Sequence, residues 1–101
     1  MSVILDFSMF PIGTGESLSN YVAKIIKMLE EKNIIYRLNP MSTTIETDNL
    51  KEALKIIYES FTCLENEVDR IYSIVKLDIR KNRKKGEMEH KVQSVIEKIN
   101  E

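Results

Sequence analysis

Apolar and polar positions alternate with period two over residues 3–10, so Val3, Leu5, Phe7 and Met9 share one face of an extended segment. Ile4, Asp6, Ser8 and Phe10 share the other. The first face is wholly apolar. The second sets a carboxylate and a hydroxyl among bulky apolar groups, a mixture that fits neither a fully buried strand nor a simply solvated one. The segment therefore predicts a strand whose mixed face is the working face of the protein.

Pro11 and the Gly13-Thr14-Gly15 turn close the strand, and the period then lengthens to that of a helix. Leu18, Tyr21, Val22, Ile25, Ile26 and Leu29 recur at helical spacing behind a Ser17 N-cap, with Lys24, Lys27, Glu30 and Glu31 opposite them. Asn33 supplies the left-handed stop. Residues 34–39 and 41–47 read as two strands broken at Pro40, and so short a connection makes them an antiparallel hairpin. Asp48 and Asn49 cap a second helix whose apolar stripe is Leu50, Ala53, Leu54, Ile57, Phe61 and Leu64. Residues 70–80 form a fourth strand. Ile71, Ser73, Val75, Leu77 and Ile79 lie on one side of it and Tyr72, Ile74, Lys76, Asp78 and Arg80 on the other. After a basic loop, Met88, Val92, Val95, Ile96 and Ile99 mark a third helix.

This order, with no linker or low-complexity stretch, is an α+β chain: a ferredoxin-like βαββαβ sandwich with an extra C-terminal helix and an antiparallel sheet of order 4-1-3-2. Right-handed crossovers put both principal helices on one face of the sheet and leave the other uncovered. That open face carries Asp6, Ser8, Arg37, Asn39, Ser42, Thr44, Glu46, Lys76, Asp78 and Arg80, together with the apolar Ile4, Phe10, Ile35, Tyr72 and Ile74. An apolar patch of that size marks an interface or a binding groove.

Composition narrows the function. A chain of 101 residues with net charge -1 is one domain without the field that draws in nucleic acid or an anionic membrane. The single cysteine, Cys63, allows neither an internal disulfide nor a Cys-based zinc site, and no secretory signal or spanning segment is legible, so a cytoplasmic protein is expected. Gly13-Thr14-Gly15 lacks the Lys-Ser/Thr of a phosphate-binding loop and reads as a tight turn. His90 lies off the apolar stripe of its helix and reads as a surface residue, and Cys63 has no cationic neighbour in sequence to activate it. The basic run from Arg80 to Lys85 has no interleaved aromatic residues and reads as a solvated loop. No nucleophile-base spacing, metal set or cofactor motif is present, which disfavours an enzyme. Asp6, Glu46 and Asp78 on the open face leave two readings: recognition of a cationic or amino-bearing ligand, or neutralisation by Arg37, Lys76 and Arg80 in a subunit interface.

Several blocks carry a family resemblance: Phe7-Ser8-Met9-Phe10-Pro11-Ile12-Gly13-Thr14-Gly15, Ser19-Asn20-Tyr21-Val22-Ala23, and the hairpin from Tyr36 to Glu46. Lys76-Leu77-Asp78-Ile79-Arg80 and the stretch from Glu87 to Val95 continue it. In order and spacing they resemble the thiamine-binding protein family, small YkoF-like ferredoxin-fold proteins. Ser42 and Thr47 stand where the family pattern has glycine, and Ile79 where a second aspartate is common.

The resemblance implies a soluble homotetramer, a dimer of dimers, that binds thiamine or its hydroxymethylpyrimidine part without transforming it. An aminopyrimidine offers donors to carboxylates and a flat ring to aromatics, and a thiazolium cation favours negative charge and π-faces. Asp6, Ser8, Thr43, Thr44, Glu46 and Asp78 are then the polar candidates and Phe10, Tyr36 and Tyr72 the stacking ones. Thr43 and Glu46 are an odd number of residues apart, so both can line one site only if a bulge re-aims one of them. The competing class is a structural or regulatory assembly whose polar face serves subunit contacts. Sedimentation equilibrium at micromolar concentration is expected to show a species heavier than the 11.8 kDa monomer.

Overall fold

The computed structural model describes residues 1–15, 17–84 and 86–101. The strand built on the period-two segment, β1 (Ser2–Pro11), lies in the middle of a four-stranded antiparallel sheet of order β2-β3-β1-β4, the expected 4-1-3-2 read from the other edge. It pairs with β3 (Thr43–Thr47) over Val3–Phe7 and with β4 (Ile71–Arg80) along its whole length. The alternation holds throughout. Val3, Leu5, Phe7 and Met9 are at most 5% exposed and face the helices, whereas Ile4, Asp6, Ser8 and Phe10 are half-buried on the opposite side. Each fully buried apolar side chain of this kind contributes about 1.5–3 kcal/mol.

Helix α1 (Leu18–Glu31) buries Tyr21, Ile25 and Leu29 against β1, and Asn33 takes the left-handed conformation (φ 57°) that ends it. The Ile34 N–H bonds back to the Leu29 carbonyl at 2.9 Å. The residues after the helix are thus used to terminate it, which is why β2 (Tyr36–Leu38) is shorter than the 34–39 expected. Asn39 and Ser42 close the hairpin turn through Asn39 N–H to the Ser42 carbonyl at 2.8 Å.

Asn49 rather than Asp48 caps α2 (Leu50–Thr62): its side chain accepts from the Glu52 N–H at 2.8 Å, while Glu52 reaches back to the Asp48 N–H. The buried stripe of α2 is Ala53, Ile56 and Ser60, continued by Leu64. Leu54 and Phe61, expected inside, are exposed. Ser60 is tolerated in the core because its hydroxyl donates to the Ile56 carbonyl at 2.8 Å. Cys63 is partly buried beside Glu59, and both burial and that carboxylate push its thiol pKa up, so it is no nucleophile at neutral pH. The helix layer packs on β1 and β3 but stops short of β4, whose Val75, Leu77 and Ile79 remain exposed on the helix side. Among the described residues no helix is long and apolar enough to cross a membrane.

The open face is not wholly uncovered. Helix α3 (Glu87–Ile99) sets its N-terminus over β1 and β3 on that side, a placement that an apolar stripe alone does not reveal. Its N-cap, Gly86, has φ 118° and no side chain with which to satisfy the first backbone N–H groups. Glu46 of β3 does so from across the fold. One of its carboxylate oxygens accepts from the N–H of Gly86 at 2.8 Å, the N–H of Glu87 at 2.9 Å and the Ser2 hydroxyl at 2.6 Å. The other meets the Met88 N–H at 3.4 Å. Lys91 with Asp78 of β4 at 2.7 Å, and Glu89 with Arg37 of β2, complete the attachment.

Burial pushes the Glu46 carboxyl pKa up, but the Ser2 hydroxyl and the helix N–H groups outweigh it and hold the pKa below the ordinary value. A group depressed in this way stabilises fully above the carboxylate range of roughly pH 4 and loses its effect as the pH falls through its folded value. Glu46→Ala is expected to weaken α3 docking by about 1.5–3 kcal/mol, and Glu46→Gln, which keeps an acceptor but not the charge, by less. Hydrogen exchange should quicken over residues 87–99 while residues 18–31 stay protected. The wild-type chain should show the same selective loosening only below about pH 4.

Candidate functional site

Strand pairing places Asp6 in a cross-strand row on the open face, between Thr44 of β3 and Lys76 of β4, with Arg37 of β2 beyond Thr44. The hairpin turn folds Asn39 and Ser42 back over the same spot. One Asp6 oxygen accepts from the hydroxyls of Ser42 and Thr44, each at 2.8 Å, and the other lies 3.3 Å from the Lys76 ammonium. The Asn39 amide donates to the Thr44 oxygen at 2.8 Å, which turns the Thr44 proton towards Asp6. Burial pushes the Asp6 carboxyl pKa up, and the Thr44, Ser42 and Lys76 donors more than offset it, so the group stays ionised at neutral pH. Two donors are short and held by the fold. The third is the tip of a lysine whose side chain is 74% exposed, a counter-ion that water screens and a ligand can displace.

Further along the face Ser8 lies opposite Ile74 and Phe10 opposite Tyr72, two and four residues from Asp6. The Phe10 and Tyr72 rings are 5.7 Å apart between centroids and tilted by 37°. Four residues of strand span about 13 Å, so the Asp6 carboxylate and the aromatic pair stand about that far apart along the face, with Ser8 and Ile74 between them. At the other end α3 closes the face through Glu46 and Asp78. The Lys91 ammonium holds the Asp78 carboxyl pKa down.

Of the residues singled out from the sequence, Asp6, Ser8, Phe10, Thr44, Glu46, Tyr72 and Asp78 share the open face. Tyr36 and Thr43 do not join them. Regular pairing of Tyr36 with Ile45 and of Thr43 with Phe7 puts both on the helix side, and the register shows no bulge at Thr43. Thr43 is buried there, and the Tyr36 hydroxyl donates to Glu30 of α1 at 2.6 Å, which raises the phenol pKa. Asn39 and Ser42, expected on the open face but not among the ligand-binding candidates, belong to the Asp6 cluster. Their signal was the turn itself, since four residues around Pro40 must bring Ser42 back beside its own hairpin.

A concavity of about 960 Å³ opens at the opposite sheet edge where β2 stops short. Ile34, Ile45, Ile56 and Met88 line it, and Lys32 and Lys55 on its rim both pair with Glu59. It shares only Glu46 with the candidates above. Arg83 of the basic loop pairs with the buried Glu87 at 3.1 Å, whereas Lys85 lies outside the described residues. Among the described residues no group of acidic, histidine and cysteine side chains is arranged to hold a metal ion.

Comparison with known proteins agrees with the fold. The chain is 36% identical over 95 residues to the UPF0045 protein MJ1052 of Methanocaldococcus jannaschii, covering 94% of this chain and 93% of that one. It is 33% identical to the UPF0045 protein sll0230 of Synechocystis, over 94% of this chain and 78% of that one. The crystal structure of MJ1052 superposes with a TM-score of 0.80 over 93% of this chain and 95% of the other. A Thermotoga maritima structure, of a protein proposed to serve thiamine biosynthesis or salvage, matches with a TM-score of 0.73. It covers 88% of this chain and 95% of its own and, at 18% identity, shows the shared fold alone. The family model described as "Thiamine-binding protein" matches residues 5–96. With nine-tenths of its length inside that match and relatives at this level of identity, the chain belongs to the thiamine-binding protein family.

Proposed function

We propose that the protein binds thiamine or its hydroxymethylpyrimidine part on the open sheet face, without transforming it, as a homo-oligomer built as a dimer of dimers. The observation that carries this reading is the Asp6 carboxylate. It is ionised, fixed on one side by Ser42 and Thr44, and balanced on the other only by an exposed lysine. An exocyclic amine or a thiazolium cation takes the place of the Lys76 ammonium, and a flat ring lies along Ile74 towards the Phe10–Tyr72 pair. Ser8, between Asp6 and Phe10 on the same face, is the further polar contact. Thr44 acts by orienting its proton towards Asp6. Glu46 and Asp78 act through α3, which they hold as the end wall of the site. Tyr36 and Thr43 take no part.

The cluster combines an acceptor with hydroxyl donors and no histidine, which supports binding over catalysis. One observation favours a second reading, a subunit interface without ligand. Every polar side chain of the cluster is already hydrogen-bonded or ion-paired.

Titration calorimetry with thiamine and with hydroxymethylpyrimidine separates the two readings. The wild-type protein is expected to bind, and saturation at a hundred times Kd should stabilise the fold by about 2.7 kcal/mol in a thermal shift. Asp6→Asn should weaken binding by about 1.5–3 kcal/mol while the sedimentation profile is kept. Wild-type protein that binds neither compound would leave the interface reading in its place.

A further inference from the structure

The hydroxyls around Asp6 converge on one of its two oxygens. Oδ1 accepts from Ser42 Oγ and from Thr44 Oγ1, each at 2.8 Å, so two donors occupy an atom with two lone pairs. Both donors are held by the backbone. Thr44 stands opposite Asp6 in the β3–β1 ladder, and the turn that carries Ser42 is closed by the Asn39 N–H on the Ser42 carbonyl at 2.8 Å. The Asn39 side-chain amide then donates to both hydroxyl oxygens, at 2.8 Å to Thr44 and at 3.4 Å to Ser42, which leaves each hydroxyl proton to Asp6. Asn39, Ser42, Thr44 and Asp6 Oδ1 thus close a ring of hydrogen bonds along one edge of the carboxylate. Oδ2 lies outside it. Its partner is the Lys76 ammonium at 3.3 Å, at the end of a side chain that is mostly exposed.

We infer that this ring makes the Asp6 site selective for ligands that present a single amino or ammonium donor, with Ser42 setting the selectivity against forked donors such as guanidinium and amidinium. The inference rests on the reading of Asp6 as the ligand's anchor. A forked cation gains over an ammonium by giving one N–H to each oxygen of a carboxylate. Here Oδ1 has no lone pair left for the second, so a fork engages Oδ2 with one prong and brings the other to the site without an acceptor. Ser8, the next polar side chain along this face of β1, is two residues or about 7 Å away, well beyond the separation of the two prongs. An exocyclic amine or an ammonium loses nothing, because it needs Oδ2 alone. The protein's own cations divide in the same way: the Lys76 ammonium sits on Asp6, whereas Arg37 of the same cross-strand row pairs with Glu89.

Benzylamine and benzamidine form a matched pair of probes, a flat ring bearing an ammonium in one and an amidinium in the other. Titration calorimetry is expected to show the wild-type protein binding benzylamine more tightly than benzamidine. Ser42→Ala, folded by circular dichroism, removes one donor to Oδ1 and should move the ratio of the two affinities towards benzamidine by about tenfold, the effect of one hydrogen bond between charged groups. Thr44→Val frees the same oxygen from the strand side and is expected to shift the ratio in the same direction, an independent variant should Ser42→Ala fail to fold. Benzamidine bound by the wild type at least as tightly as benzylamine, a folded variant with an unchanged ratio, or a wild type that binds neither probe would each overturn the inference. Thiamine is titrated alongside. A protein that prefers benzylamine but ignores thiamine keeps the selectivity and loses the thiamine reading, and one that binds thiamine without telling the probes apart does the reverse.

Discussion

The parity of β1 is the constraint on which the rest of the molecule depends. The strand is paired on both sides, so its register against β3 and β4 is set by two ladders at once, and its odd residues form the floor of the core. A slip of one residue would bury Asp6 and Ser8 beneath the helices and turn Leu5 and Phe7 into water. Burial of the odd face is thus what aims Asp6 at Thr44, Ser42 and Lys76. Asp6 requires no local device to aim it, because a side chain on a doubly paired central strand has nowhere else to point, and the hairpin turn adds Asn39 and Ser42 around it.

Much of this was legible because periodicity reports burial directly. The two faces of β1, the stripe of α1 apart from the exposed Leu18, the left-handed Asn33 and the strand order all follow from spacing and from the handedness of crossovers. The stripe of α2 was shifted because Ser60 is polar in sequence yet satisfied within its own helix, so its burial leaves no hydrophobic mark. Tyr36 and Thr43 were drawn in by their chemistry, and strand parity separates them from the site.

The placement of α3 was the larger omission. An apolar stripe shows that a helix has something to cover without showing what, and Gly86 gives no capping signal. Glu46 illustrates the same limit from the other side. A lone carboxylate on an open face has the same sequence signature whether its donor is a ligand or the N-terminus of a helix some 40 residues further on. The three acids of the open face are in fact differently bound. Glu46 is held by backbone amides that cannot leave, Asp78 by a lysine of α3, and Asp6 by two fixed hydroxyls and one mobile ammonium. Only the last combines a preset acceptor with a replaceable neighbour, and for that reason the functional reading settles there.

Attachment of α3 through main-chain N–H groups distributes mutational tolerance unevenly between the two ends of one contact. Residues 87 and 88 present the same amides whatever their side chains, so for this contact that stretch can drift in sequence without losing its seat. Position 46 has no such freedom, because aspartate is a methylene too short and an amide has lost the charge. Divergence among chains of this fold should therefore accumulate along the outer surface of the last helix, while the single strand position that receives it stays acidic.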